Sequence, residues 1–456
     1  MPMRKHYSRR EFIKKNSLTG LGAVIAFSAK TSPGIKNTAA LAVLGGEPVR
    51  TKVWPGWPVW DSSTDEELLL KVIRSGAWTR AGVVTEFEKK WAETIGSKRC
   101  LAVVNGTNAL IASLNQFDIG AGDEVIVHPY TFVSTIICIL QNGAMPVFVD
   151  TDPETYQIDA GKIEAKITKH TRAIIAAHTL GMPADMETIM GIAARHNLIV
   201  VENACLASLA EINHKKVGTF GNAGCFSFQA SKVIPIGEGG AIVSDDENFM
   251  DRCYSFHNLG NPFGSVVLPD GVTGGTVING TKLRISEYQA AIGLAQLKRL
   301  EKQTGIRNEN VKYLKSRITD IPGIAPFKLT RNVTRISAWQ FPFRYKAEEF
   351  QGLSRDEFLK ALRAEGIPCS SGYVTQNDKP YLKNAFESKN YRRMYTSDDL
   401  DFTDYLEKNY CPENDLLCKE AVWFSQNMFL GSETDMDDIS NAIEKVHDNA
   451  GKIGDR

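Results

Sequence analysis

The stretch Gly224-Cys225-Phe226-Ser227-Phe228-Gln229-Ala230-Ser231-Lys232-Val233-Ile234-Pro235-Ile236-Gly237-Glu238-Gly239-Gly240, continued by Ala241-Ile242-Val243-Ser244, is the centre of the chain's organisation. It reads as an apolar strand ending in small and hydroxyl residues, then one lysine, a glycine-rich turn and a second strand. An amine presented at such a strand end, beside hydroxyl and backbone N–H donors, suits Schiff-base chemistry on a phosphorylated aldehyde such as pyridoxal 5'-phosphate (PLP). A surface lysine beside a glycine-rich loop has the same local pattern, because lysines are seldom buried. The flanking segments have to decide between the two.

Upstream of this stretch the chain alternates. Residues 100–104, 124–127, 146–150, 173–178 and 198–202 are continuous apolar runs, separated by helical patterns such as 84–91, 132–140 and 186–195. Apolar runs joined by helices of ordinary length mean parallel strands covered on both faces. The expected fold is therefore α/β, with a large, mostly parallel sheet. Downstream of Asp245 the pattern changes: an amphipathic helix over 286–303 is followed by short helices such as 354–365 alternating with strands such as 340–344. Residues 385–417, rich in Asp, Asn and Tyr, read as a loop insertion, and a helix over 435–449 closes the chain. These changes divide the chain into a leader and linker (1–40), a large α/β domain (41–305) and a smaller α+β domain (306–456). The segment Trp54-Pro55-Gly56-Trp57-Pro58-Val59-Trp60 reads as an extended arm whose rings pack on something larger, since prolines exclude helix.

Lys+Arg 53 balances Asp+Glu 53, and no basic stripe with interleaved aromatics is present, so nothing points to nucleic acid. Ser8-Arg9-Arg10-Glu11-Phe12-Ile13-Lys14-Lys15, the apolar run 18–27 and the small residues Ser28-Ala29 form a tripartite signal peptide, too short to span a membrane. Its paired arginines resemble a twin-arginine export signal, which predicts a protein outside the cytoplasm, or inside it if the signal does not function. None of the eight cysteines has C-x-x-C spacing, so no metal site is expected. Cys411 and Cys418 lie in a polar segment and could pair after export.

Several strand ends converge on one ligand. Gly106-Thr107-Asn108 follows a strand and opens a helix, where N–H groups and the Thr107 hydroxyl face an anion such as a phosphate; a plain N-capping turn reads the same way. Tyr130-Thr131-Phe132 places an aromatic at another strand end, for a flat ring or for the core. Glu202-Asn203 ends a third strand, and the period of two sends the two side chains to opposite faces. Ligands bind at such a sheet edge.

Taken together, the chain resembles the DegT/DnrJ/EryC1/StrS family of PLP-dependent sugar aminotransferases, of fold type I, from about residue 44 to 446. The resemblance rests on Ser75-Gly76-Ala77-Trp78, Asn105-Gly106-Thr107, Gly122-Asp123-Glu124, Tyr130-Thr131-Phe132, Pro146-Val147-Phe148-Val149-Asp150, His178 with Gly181-Met182-Pro183-Ala184-Asp185, Cys225-Phe226-Ser227-Phe228 with Lys232, and Arg284 with Glu287-Tyr288-Gln289. The segment Ala421-Val422-Trp423-Phe424-Ser425-Gln426-Asn427 looks like the branch acting on cyclitols. The resemblance implies a seven-stranded sheet domain and a homodimer with shared active sites. It makes Lys232 the Schiff-base and proton-transfer residue. It implies that Gly106, Thr107, Asn108 and Ser227 lie at the phosphate, that Phe132 stacks on the pyridine ring, and that Asn258 of the partner subunit reaches the same phosphate.

Two positions depart from the family. Asn203 stands where the family has the aspartate that keeps the pyridine nitrogen protonated, and Leu206 where it usually has Gln or His. An amide can hydrogen-bond but supplies no charge, so the electron sink weakens. The sequence thus predicts an aminotransferase moving an amino group from glutamate or glutamine to a keto-sugar or keto-cyclitol. A PLP-dependent dehydratase or isomerase, and a catalytically impaired PLP- or sugar-binding homologue, are the alternatives.

Overall fold

Seven strands form the central sheet: β1 (Arg99–Val103), β2 (Glu124–Val127), β3 (Met145–Phe148), β4 (Thr171–Ala177), β5 (Ile199–Asn203), β6 (Ala223–Ser227) and β7 (Gly240–Ser244). Their order is β1-β7-β6-β5-β4-β2-β3. The pairs from β6 through β5, β4 and β2 to β3 are parallel, and β7 alone runs the other way. This is the large, mostly parallel α/β sheet that the sequence predicts. The computed structural model describes residues 40–454, so the signal-peptide reading lies outside the described residues.

The period of two sorts the strand side chains between the two faces. Ile126, Ile174, Val200 and Phe226 enter one buried cluster, and Val125, Val127, Ile175, Val201 and Cys225 the other. A third cluster is built around the antiparallel strands Ile324–Pro326, Gln340–Tyr345 and Ala421–Ser425.

The long helix starts where the sequence predicts, with Ser286 and Gln289 forming a reciprocal cap. It continues past 303 to Ile318, for 32 residues. No proline interrupts it, and Val311, Leu314 and Ile318 carry its apolar stripe into the third cluster. It therefore runs through residues 305 and 306, and the described residues belong to one compact unit.

Residues 385–417 are not a plain loop. The helices Pro380–Phe386, Tyr391–Met394, Phe402–Lys408 and Pro412–Glu420 occupy the region and cover β3, the edge strand. Tyr405 Oη donates to the Pro146 carbonyl at 2.8 Å, and Asn409 Oδ1 accepts the Phe148 N–H at 2.7 Å. The segment thus satisfies edge groups that would otherwise invite another strand.

The eight cysteines are free, Cys411 and Cys418 included. Among the described residues no helix is long and apolar enough to cross a membrane, and no cluster of three or more His, Cys, Asp or Glu is placed to hold a metal ion.

Candidate active site

A cavity of about 420 Å³ opens at the carboxyl edge of the sheet, where β1, β4, β5 and β6 end and β7 begins. Lys232, Gly106, Thr107, Phe132, Asn203 and Ser227 all line it. Asn108 does not. The helix Gly106–Gln116 is capped by Asn105, whose Oδ1 takes both the Asn108 backbone N–H (2.8 Å) and its side-chain amide (3.0 Å). Asn108 is consumed in closing the first turn, while Gly106 and Thr107 stay at the cavity wall. Asn258 also lies outside this chain's cavity, capping the helix Glu247–His257 through its N–H to Ser255 O at 3.1 Å.

Gly106 lets two elements meet. A Cβ there would sit 2.6 Å from Cys205 Sγ and 2.9 Å from Ser227 Cβ. Without one, the helix start and the end of β6 close on each other, so the Thr107 and Ser227 hydroxyls flank the same wall. The partial positive charge and free N–H groups of a helix start favour an anion there.

Below Ser227 the strand is anchored from the opposite face. Trp91 meets Phe226 and Phe228 edge-on, with ring centroids 5.2 and 5.0 Å apart. Beyond Phe228 the chain folds back on itself, with Phe228 N–H to Gly239 O at 2.8 Å and Ala230 N–H to Gly237 O at 2.9 Å. Two indoles clamp the exposed side of this loop. Trp57 Nε1 donates to Ala230 O at 3.1 Å, and Trp339 Nε1 donates to Ser231 O at 2.9 Å. Trp57 comes from the extended arm and packs against the Arg307 guanidinium, 5.0 Å from its ring centroid, as the Trp/Pro-rich reading of that arm predicts. Trp339 was not legible as a site residue. Its segment comes close because Gly181, at φ +92°, leaves no Cβ where one would stand 2.7 Å from Trp339 N.

Lys232 is half-buried, with Nζ 4.5 Å from the Trp339 ring centroid. Desolvation pushes its ammonium down to about 8, against the opposing pull of Cys205 and Glu238. About a tenth of the amine is therefore free at pH 7, far more than for an ordinary lysine, as a nucleophile for a carbonyl requires.

Glu202 and Asn203 point to opposite faces. Glu202 accepts N–H groups from Gly218 (2.7 Å), Phe220 (2.6 Å) and Gly221 (2.7 Å), and pairs with His178 Nε2 at 2.9 Å. Asn203 stands on the cavity side, 7% exposed, bonded to Thr135 and to the Cys205 N–H. Leu206 and the half-exposed Phe132 supply apolar wall.

The chain matches, over residues 61–400, the model of the DegT/DnrJ/EryC1/StrS aminotransferase family. It is 32% identical over 432 residues to a putative L-glutamine:3-amino-2,3-dideoxy-scyllo-inosose aminotransferase of Micromonospora echinospora, covering 91% of this chain and 99% of that one. Among solved structures it is similar to 3-amino-5-hydroxybenzoic acid synthase, with a TM-score of 0.75, 26% identity, and 89% of this chain and 100% of that one covered. It is also similar to the E. coli GDP-4-keto-6-deoxy-D-mannose-3-dehydratase solved with bound hydrated PLP, with a TM-score of 0.71, 25% identity, and 86% and 100% covered.

Proposed function

The chain belongs to the DegT/DnrJ/EryC1/StrS aminotransferase family, and on that premise we propose that it moves an amino group from glutamine or glutamate to a keto-cyclitol or keto-sugar, with PLP held in the 420 Å³ cavity. The observation that carries this reading is Lys232, an amine lowered to about 8, on a clamped loop that shares one cavity with a helix start suited to phosphate. PLP supplies an electrophilic carbonyl for the amine and a ring that takes up electron density during proton transfer.

The residues divide that work. The N–H groups of Gly106 and Thr107, with the Thr107 and Ser227 hydroxyls, hold the phosphate. Phe132 would pack against the ring, and Asn203 would face its nitrogen, both from the cavity wall. Lys232 Nζ would be the amine that holds the cofactor's carbonyl group and, when free, the base that would carry the proton between donor and acceptor positions. Phe132, Leu206 and Trp339 limit water around Nζ. Asn258 of the partner subunit completes the phosphate site, which makes a homodimer the working unit. The 3-amino-2,3-dideoxy-scyllo-inosose and L-glutamine in the name of the Micromonospora relative support a cyclitol acceptor and a glutamine donor. The signal-like residues 8–29 support a location outside the cytoplasm, where free keto-cyclitols or oxidised sugars would suit the protein better than nucleotide-linked ones.

Incubating the purified protein with PLP, glutamine and scyllo-inosose, and following the amino-cyclitol by mass spectrometry, tests the proposal. Donor-dependent product is expected. Loss of water from a keto-sugar without donor consumption would replace it with the dehydratase reading.

A further inference from the structure

We propose that Asn203 donates a hydrogen bond to the ring nitrogen of the bound cofactor and so keeps that nitrogen unprotonated; the inference rests on the PLP reading above.

The direction of the Asn203 amide follows from its partners. The Cys205 backbone N–H can only donate, so the atom 3.2 Å from it must be Oδ1. Nδ2 therefore faces Thr135 Oγ1, at 2.8 Å. It carries two hydrogens, and one bond to Thr135 leaves the second for the cavity that Asn203 lines. Behind this pair lies another hydroxyl, Thr131 Oγ1, 2.9 Å from Thr135 Oγ1, with both threonines buried. The whole assembly is neutral. What it presents to a ring nitrogen is a donor, and a donor selects the lone pair rather than the N–H⁺ form.

No charge nearby reverses this. Glu202, next in the chain, lies on the other face of β5 with three backbone N–H groups and His178 on its carboxylate. His178, just past the end of the adjoining β4, accepts the Ala184 N–H at Nδ1 (3.1 Å) and so places its one proton on Nε2, toward Glu202. The Cys205 thiol, which lines the site, and the buried Cys138 thiol on the helix Ser134–Gln141 are both raised by burial and stay neutral. Lys232 is cationic when protonated and disfavours a second positive charge. Among the described residues Glu238 is the one carboxylate lining the cavity, and it sits exposed on the turn after Lys232. A pyridinium at Asn203 would face no anion. The ring then draws electrons less strongly, and proton transfer at Lys232 carries more of the reaction.

The test uses the natural holoprotein loaded with PLP labelled with ¹⁵N at the ring position. Its ¹⁵N shift is expected in the pyridine range at neutral pH. In Asn203→Asp, a carboxylate against the ring raises the nitrogen's pKa by roughly one to three units, about a 10- to 1,000-fold change in the ratio of protonated to unprotonated ring, and the resonance moves to the pyridinium range. The variant's folding and retained label are checked by circular dichroism and gel filtration, but the natural protein's shift suffices alone. A pyridinium shift in the natural protein overturns the inference. So does an Asn203→Asp protein that keeps the label with an unchanged shift. A natural protein that retains no labelled PLP overturns the cofactor reading itself.

Discussion

Replacing Gly106 by alanine tests the junction on which the phosphate site depends. The new Cβ would stand 2.6 Å from Cys205 Sγ, 2.9 Å from Ser227 Cβ and 3.2 Å from Phe226 O. Non-bonded carbons sit comfortably at about 3.5–4.0 Å, so the helix start and the end of β6 must part by roughly 1 Å. The obstructing atoms leave little freedom: two belong to β6, which Trp91 anchors from beneath, and Cys205 Sγ is tied to Cys225 O. Overpacking of this kind costs about 1–3 kcal/mol. If the strain falls on the N–H and hydroxyl groups that hold the phosphate, PLP affinity drops about 5- to 150-fold. Titrating the apoprotein with PLP by absorbance measures this directly, with circular dichroism confirming an intact fold. Adding Cys205→Ala removes the nearest clash, so the double variant is expected to recover part of the loss, the Ser227 contact remaining. A Gly106→Ala protein that binds PLP as tightly as the natural one would refute the assignment of this junction to the phosphate.

Three further outcomes are expected. Because the Lys232 amine lies at about 8 and only its neutral form attacks a carbonyl, the apoprotein's rate of PLP capture should rise with pH and reach half its maximum near 8; stopped-flow absorbance measures this, and a flat profile contradicts it. Trp57→Phe and Trp339→Phe each keep a ring but lose the indole N–H to the lysine loop, costing about 1 kcal/mol apiece. Faster hydrogen exchange confined to residues 228–239 is the expected signature, and unchanged protection there would show that the indoles do not clamp the loop. Asn409→Ala removes the acceptor for the Phe148 N–H and leaves it buried, so urea unfolding should show a loss of about 1–3 kcal/mol, with PLP affinity unchanged because β3 contributes no residue to the cavity lining.

Much of this architecture was legible because strand periodicity is local. The Glu202-Asn203 pair falls on opposite faces as two consecutive strand residues must, and Lys232 sits where a strand turns back at a ligand-binding edge. Asn108 lies off the cavity wall because a helix start offers several donors, and which of them the cap consumes depends on the Asn105 rotamer. The polar residues 385–417 hid an edge cover, since Tyr405 and Asn409 bond to backbone groups more than 250 positions away in sequence. Trp339 gave no signal either. Its place over Lys232 depends on the left-handed Gly181, which allows two distant segments to touch.

The most direct test of the central claim is borohydride reduction of the PLP-loaded natural protein followed by peptide mass mapping. A phosphopyridoxyl group on the peptide carrying Lys232, lost when glutamine is added before reduction, is the predicted result. A label on another lysine, or one that persists on Lys232 with every amino donor, would contradict it.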